Sequence, residues 1–195
     1  MDFTRLSNAI DFAARVHQNQ TRKGPNPGPY IYHPIFVAMC LVHYQYDEDV
    51  VIAGLLHDTV EDGGVAPDDI EQQFGQRVRQ LVEAVTEVKD PSMSREEKQR
   101  TWLTRKERFL EKLKDASVGA RAISAFDLLH NALELTALIS SEGASASQHF
   151  NAPLDRKIWF ARQEIELFRS DAGKPHATIV ADLLERLLAE LEKLP

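Results

Sequence analysis

His57, Asp58, Glu61 and Asp62 fall in one short stretch, His57-Asp58-Thr59-Val60-Glu61-Asp62, at the end of the apolar run VVIAGLL. Residues 47 to 62 read as one helix, opened by Asp47-Glu48-Asp49 at the positive end of its dipole and stopped by Gly63-Gly64. The last turn and a half then holds an imidazole and three carboxylates where the dipole disfavours negative charge, with like charges three and four residues apart. A bound cation relieves that conflict. Adjacent side chains diverge by roughly 100° on a helix. His57 and Asp58 therefore reach one ion only off the flank between them, and other elements must complete the site.

Two residues are candidates to complete it. His33 ends the loop TRKGPNPGPYIYHP just before the next apolar segment, where its ring can turn inward. Asp127 lies between Phe126 and Leu128 in an apolar helix, on a polar stripe with His130, Asn131 and Glu134 at i+3, i+4 and i+7. A carboxylate buried there needs a cation or several donors. Two imidazoles and two carboxylates suit Mn2+, Fe2+ or Zn2+ better than calcium or copper(I). Such an ion lowers the pKa of a bound water, and a nearby carboxylate can take or return the proton. Glu61 and Asp62, one turn beyond the ligand pair, are placed for that work. Arg22-Lys23, which start the loop ending at His33, are the clearest phosphate candidates. Further basic residues gather at Arg105, Lys106 and Arg108, and at Arg156, Lys157 and Arg162; each group reads as a solvated helix face unless it lies near the metal. His17 is a candidate to support a ligand, while His43, His149 and His176 have no ligand spacing.

The elements that must position these groups are helical. Apolar residues recur at steps of three and four from Phe3 to about Asn19, from Pro34 through PIFVAMCLVHY, and from Pro67 to Phe74. Gly75 separates the last of these from a helix ending near Val88. A long charged helix over 94–115, a largely apolar one from Ala116 to Ser140, a loop SSEGASAS and two further helices from Asn151 and His176 complete the chain. The last of these carries leucines at 183, 184, 187, 188, 191 and 194, a stripe for core packing. YIY is the single candidate strand. The expectation is an all-α fold of about eight or nine helices.

At 195 residues the chain fits one domain with a substantial core, and 43% hydrophobic with 27% charged residues is ordinary globular composition. A net charge of −7 argues against nucleic-acid or acidic-membrane partners, so any phosphate site is a local pocket. The single cysteine, Cys40, excludes an internal disulfide and fits a reducing cytoplasm. The charged N-terminus has no signal-peptide core, and no apolar run approaches the roughly 20 residues that span a bilayer. The expectation is a soluble, cytoplasmic protein of unassigned oligomeric state.

Taken in order, HQNQTRKG, PYIYHP, AGLLHDTVED and FDLLHN resemble the HD-domain hydrolases of the RelA/SpoT type, and most closely the stand-alone small alarmone hydrolases. The likeness continues through FGQRV, VTEV and WLTRK to FN and WFAR, over roughly residues 3 to 165. It implies an all-helical HD-domain bundle with one metal, commonly manganese, that removes the 3′-pyrophosphate of guanosine tetra- and pentaphosphate to give pyrophosphate and GDP or GTP. It implies His33, His57, Asp58 and Asp127 as metal ligands, with Glu61 and Asp62 for water activation and proton transfer. It also implies Arg22 and Lys23 at base and phosphates, Asn131 near the ribose, and Lys106 and Arg162 at phosphates. Two residues depart from the pattern: Leu128 and Leu133 stand where the resemblance expects basic side chains. Two other readings therefore stay open, an HD-type hydrolase of another phosphorylated nucleotide or dinucleotide, and a nucleotide-binding module without turnover. Glu61 and Asp62 argue against the latter, since a pure binder has little need of them.

Overall fold

The computed structural model describes residues 2–24, 27–88, 92–143 and 152–192. Ten α-helices run through them, with no strand among the described residues, so the fold is all-α. Helix α1 (Phe3–Val16) is capped by Asp2, whose carboxylate accepts from the Thr4 and Arg5 amides, and buries Ala9 and Ala13. The proline-rich loop folds back on itself through one bridge, Thr21 to Pro29, and YIY leads into α2 (Tyr32–His43) rather than forming a strand. His33 thus sits inside the first turn of α2, not ahead of it. Pro34 is tolerated there because the first amides of a helix have no intrahelical acceptor.

Helix α3 (Glu48–Leu56), capped by Asp47, is buried continuously from Val50 to Leu56. It ends earlier than the spacing suggests, and 57–63 are turns. Thr59 closes the helix by donating both its amide and its hydroxyl to the Leu56 carbonyl, at 3.0 and 2.6 Å. Helices α4 (Pro67–Phe74) and α5 (Gln76–Val85) follow, the latter ending at extended Thr86 instead of Val88. The charged segment read as one helix is two, α6 (Arg95–Arg100) and α7 (Trp102–Lys114), parted at Thr101. That division raises the count to ten. The Thr101 hydroxyl donates to the Glu97 carbonyl at 2.7 Å, a back-bond that bends helices.

Helix α8 (Val118–Glu142) packs against α2, α3 and α5, and against α9 (Leu154–Arg169) and α10 (Ile179–Leu191). By length and composition α8 is apolar enough to cross a membrane, which corrects the expectation that no run approaches that length. In the fold it is packed against five other helices, with Ala120 to Phe126 almost wholly buried and Phe126 fully so. One hydrophobic core runs from Ala9 in α1 to Leu191 in α10. The α10 stripe buries Leu184, Leu188 and Leu191, while Leu183 is exposed. Leu194, His149, the Phe150-Asn151 segment and the second half of the SSEGASAS loop lie outside the described residues, and α8 extends to Glu142.

Candidate metal centre and its cavity

Three elements bring four donors together. His33 comes from the first turn of α2, His57 and Asp58 from the turn closing α3, and Asp127 from the middle of α8. His33 Nε2 lies 3.0 Å from Asp127 Oδ1, 3.2 Å from His57 Nε2 and 3.5 Å from Asp58 Oδ2. His57 Nε2 lies 3.1 Å from Asp58 Oδ2 and 3.9 Å from Asp127 Oδ1. The ligand atoms of His33, His57 and Asp58 all fall within 4.8 Å of one another. Ending α3 at Leu56 makes this possible, because the turn lets neighbouring residues His57 and Asp58 face one point.

This donor set fits a divalent ion. Each imidazole has its other nitrogen occupied: His57 Nδ1 meets the Gly54 carbonyl at 2.9 Å, and His33 Nδ1 shares a proton with His130 Nδ1 at 2.7 Å. Both Nε2 atoms consequently face each other and two carboxylate oxygens. Donors bound at right angles about 2.1 Å from one ion lie roughly 3 Å apart, close to the spacings here. Burial would draw the His57 pKa down, but Asp58, Asp127 and the Gly54 carbonyl together push it up to about 9. Asp58 and Asp127 are held well below the carboxylate range: burial opposes this, but the two imidazoles prevail at both, joined at Asp58 by the Tyr30 hydroxyl. The site carries a field that favours positive charge. His130, stacked on Phe36 at 4.3 Å, is pushed down to about 4 by burial and by His33, so it supports His33 as a neutral ring.

The donors form part of the wall of a cavity of about 790 Å³, within the range of small-molecule sites. Glu61 and Asp62 line it. Glu61 Oε2 accepts the Glu87 amide at 2.6 Å, and the Asp62 carbonyl accepts Gln20 Nε2 at 2.7 Å. Arg22 lines it as well, paired with Glu134 and donating to Asn131 Oδ1 at 2.8 Å. Asn131 passes that order on, donating from Nδ2 to Asp127 Oδ1 at 2.6 Å. Lys23 and Lys106 also line the cavity; Lys106 lies 2.7 Å from Glu87 and 4.4 Å above the Phe160 ring.

Arg162 is not brought to the site. It lies on the outer face of α9, paired with Glu185 and Glu192 at 2.8 Å each. It stands roughly 100° around the helix from Ala161, whose face lines the cavity. On that inner face Lys157 takes the cationic place, pushed down to about 8 by burial and by Lys23 and Lys106. Leu128 lines the cavity where the resemblance expects a cation, whereas Leu133 is exposed outside it. Sequence reading missed Tyr30, Glu87 and Glu164. Glu164 had a legible signal, because it shares a helical face with Ala161, Ile165 and Phe168. It is buried, accepts the Ser124 hydroxyl at 2.7 Å and lines the cavity.

Comparison with known proteins agrees with this architecture. Residues 9–154 match the HD domain family. The chain belongs to that family. An HD domain implies a divalent metal, and the His33–His57–Asp58 cluster is where this HD domain gathers its donors. Over 133 residues the HD chain is 42% identical to the guanosine-3′,5′-bis(diphosphate) 3′-pyrophosphohydrolase MESH1 of Homo sapiens, covering 67% of this chain and 69% of the relative. It is similar throughout to a solved structure described as a metazoan ortholog of SpoT that hydrolyzes ppGpp, with TM-score 0.77, 26% identity and coverage of 100% and 99%. A Listeria monocytogenes EGD-e structure aligns with TM-score 0.69 and 29% identity, over 83% of this HD chain and 99% of its own.

Proposed function

We propose that this HD-domain protein is a metal-dependent guanosine-3′,5′-bis(diphosphate) 3′-pyrophosphohydrolase, releasing pyrophosphate and GDP or GTP. The observation that carries the reading is the convergence of His33, His57, Asp58 and Asp127 at the wall of a cation-lined cavity that also holds Glu61 and Asp62. The similarity to named 3′-pyrophosphohydrolases supports it. His33, His57, Asp58 and Asp127 hold the ion, which when bound acidifies a water and polarises the phosphoryl group. Glu61 takes the proton of the attacking water, its carboxylate held in place by the Glu87 amide. Asp62, beside it, relays that proton to the departing 3′ oxygen. Arg22, Lys23 and Lys106 balance the phosphate charge, and Asn131 keeps Asp127 aimed at the centre. Trp102, Phe109 and Phe160 offer an apolar wall to the purine. The mixed nitrogen and oxygen donors suit Mn2+, with Fe2+ or Zn2+ as substitutes. The single cysteine fits a cytoplasmic setting.

Leu128 favours one second reading. It removes a cation from the cavity wall, which relaxes the demand for a highly phosphorylated ligand and admits another phosphorylated nucleotide. A panel of guanine and adenine nucleotides with 3′-diphosphate, 3′-phosphate or unmodified 3′ ends separates the two readings. Pyrophosphate release confined to the guanosine 3′-diphosphates supports the first. Faster orthophosphate release from another nucleotide replaces it with the second.

A further inference from the structure

Tyr30 touches both carboxylates at the centre of the proposed chemistry. Its hydroxyl donates to Asp58 Oδ2 at 2.7 Å and lies 3.5 Å from Asp62 Oδ2. Its ring packs 4.9 Å from that of His17 and 5.8 Å from that of His33, and the Arg22 guanidinium lies over it at 5.1 Å. His17 is itself only 2% exposed, and its Nδ1 meets Gln20 Oε1 at 2.6 Å. Gln20 in turn donates to the Asp62 carbonyl at 2.7 Å. The loop, the end of α1 and the start of α2 therefore fix the ring, and the fixed ring gives the hydroxyl a defined position.

That position matters because Asp58 Oδ2 is the oxygen facing both Nε2 atoms. A carboxylate is free to turn about its last bond and offers an ion one oxygen, two, or a poor angle. A donor on one lone pair of Oδ2 removes that freedom, and partners of this kind tune metal affinity.

We propose that Tyr30 is a positioning residue of the metal centre: its hydroxyl sets the plane of the Asp58 carboxylate and the separation between Asp58 and Asp62. The inference rests on the reading of Asp58 as a metal ligand. It distinguishes the hydroxyl, which orders the centre, from the ring, which holds the loop.

The test is calorimetric titration of Mn2+ into wild-type protein, Tyr30→Phe and Tyr32→Phe, with Mn2+ electron paramagnetic resonance on the saturated proteins. Tyr30→Phe keeps the ring packing, and Tyr32, two residues on at the start of α2, is an exposed control. Tyr30→Phe is expected to bind Mn2+ about ten-fold more weakly, with an altered resonance spectrum. Its kcat on the guanosine 3′-diphosphate falls about ten-fold at saturating Mn2+ while KM stays within about two-fold. Tyr32→Phe matches wild type throughout. Wild-type affinity and spectrum in Tyr30→Phe overturn the proposal, even if kcat falls, because the hydroxyl then acts elsewhere. If the wild-type protein itself takes up no Mn2+, the metal reading falls and the proposal falls with it.

Discussion

Asp58 Oδ2 has three neighbours at close range: Nε2 of His57, Nε2 of His33 and the Tyr30 hydroxyl. Glu61 and Asp62, next along the turn, have their carboxylates outside that cluster: Glu61 Oε2 accepts the Glu87 amide, and Asp62 Oδ2 lies 3.5 Å from the Tyr30 hydroxyl. This division gives a prediction for catalysis: Glu61→Gln and Asp62→Asn keep Mn2+ affinity while kcat falls by about 10² to 10⁴. Calorimetry and steady-state kinetics on the same preparations check it. Glu164 gives a prediction for stability. Burial pushes its carboxyl up to about 8, against the Ser124 hydroxyl and Lys106 and with Asp127 adding to the rise. The folded protein thus keeps a proton that the unfolded chain releases near pH 4.3. The stability tied to that proton is complete below this pH and declines as pH rises to about 8. Thermal midpoints of wild type should fall from pH 5.5 to pH 8.5 more steeply than those of Glu164→Gln; parallel curves contradict the argument. At this scale His57, Asp58, Asp127, Glu61 and Asp62 stood out because their types violate local helix or core preferences, and His33 by its place at the end of the proline-rich loop. Tyr30 did not, since a tyrosine in a loop violates nothing and its role depends on what folds over it.

Helix ends and close approaches then decide whether those residues meet. The pattern reads through residues 57–62 as helix because apolar spacing carries no record of where Thr59 will turn back on Leu56. Ending α3 there makes the electrostatic conflict at 57–62 a property of a turn rather than of a helix dipole, but the need for a cation is unchanged. Helices α2 and α3 approach closely at Gly54, where an added Cβ would collide with Leu41 Cδ1. Gly54 also supplies the carbonyl that orients His57. Gly54→Ala is expected to cost about 1 to 3 kcal/mol, read from urea unfolding. It should also weaken Mn2+ binding, because separating α2 from α3 moves His33 away from His57. Unchanged Mn2+ affinity in a destabilised Gly54→Ala protein contradicts that coupling. Gly63 has a similar part at the far end of the turn, where a Cβ would meet Val16 of α1 and lie 2.6 Å from the Thr59 carbonyl. Helix identities were legible from spacing, while the division at Thr101 was not, because both halves present similar charged surfaces.

Across the whole molecule, α8 joins the metal centre to the C-terminal helices. Asp127 and Asn131 occupy its middle, and Arg121 nearer its start grips Asp171 with Nε at 2.7 Å and Nη2 at 2.6 Å. Asp171 also meets His176 Nε2 at 2.8 Å, and His176 Nδ1 meets the Tyr46 hydroxyl at 2.6 Å. This buried network ties α9 and α10 to α8 and to the α2–α3 connection. Arg121→Ala should cost about 3 kcal/mol by leaving the Asp171 carboxylate short of a partner. The cavity wall formed by α9 and α10, with Lys157 and Leu188, should loosen with it, measured as faster amide exchange there. No spacing in the sequence marks His176 for this role, because its partners lie on distant segments. The all-α architecture was legible because helical spacing fills nearly every segment. The assembly of loop, turn and central helix around one cavity is a tertiary fact. The most direct test of the account is chromatography of the products from guanosine-3′,5′-bis(diphosphate) incubated with Mn2+-loaded protein, beside Asp58→Ala. The account predicts GDP and pyrophosphate in equal amounts from the wild type and none from Asp58→Ala; equal turnover by both proteins, or orthophosphate as the wild-type product, would contradict it.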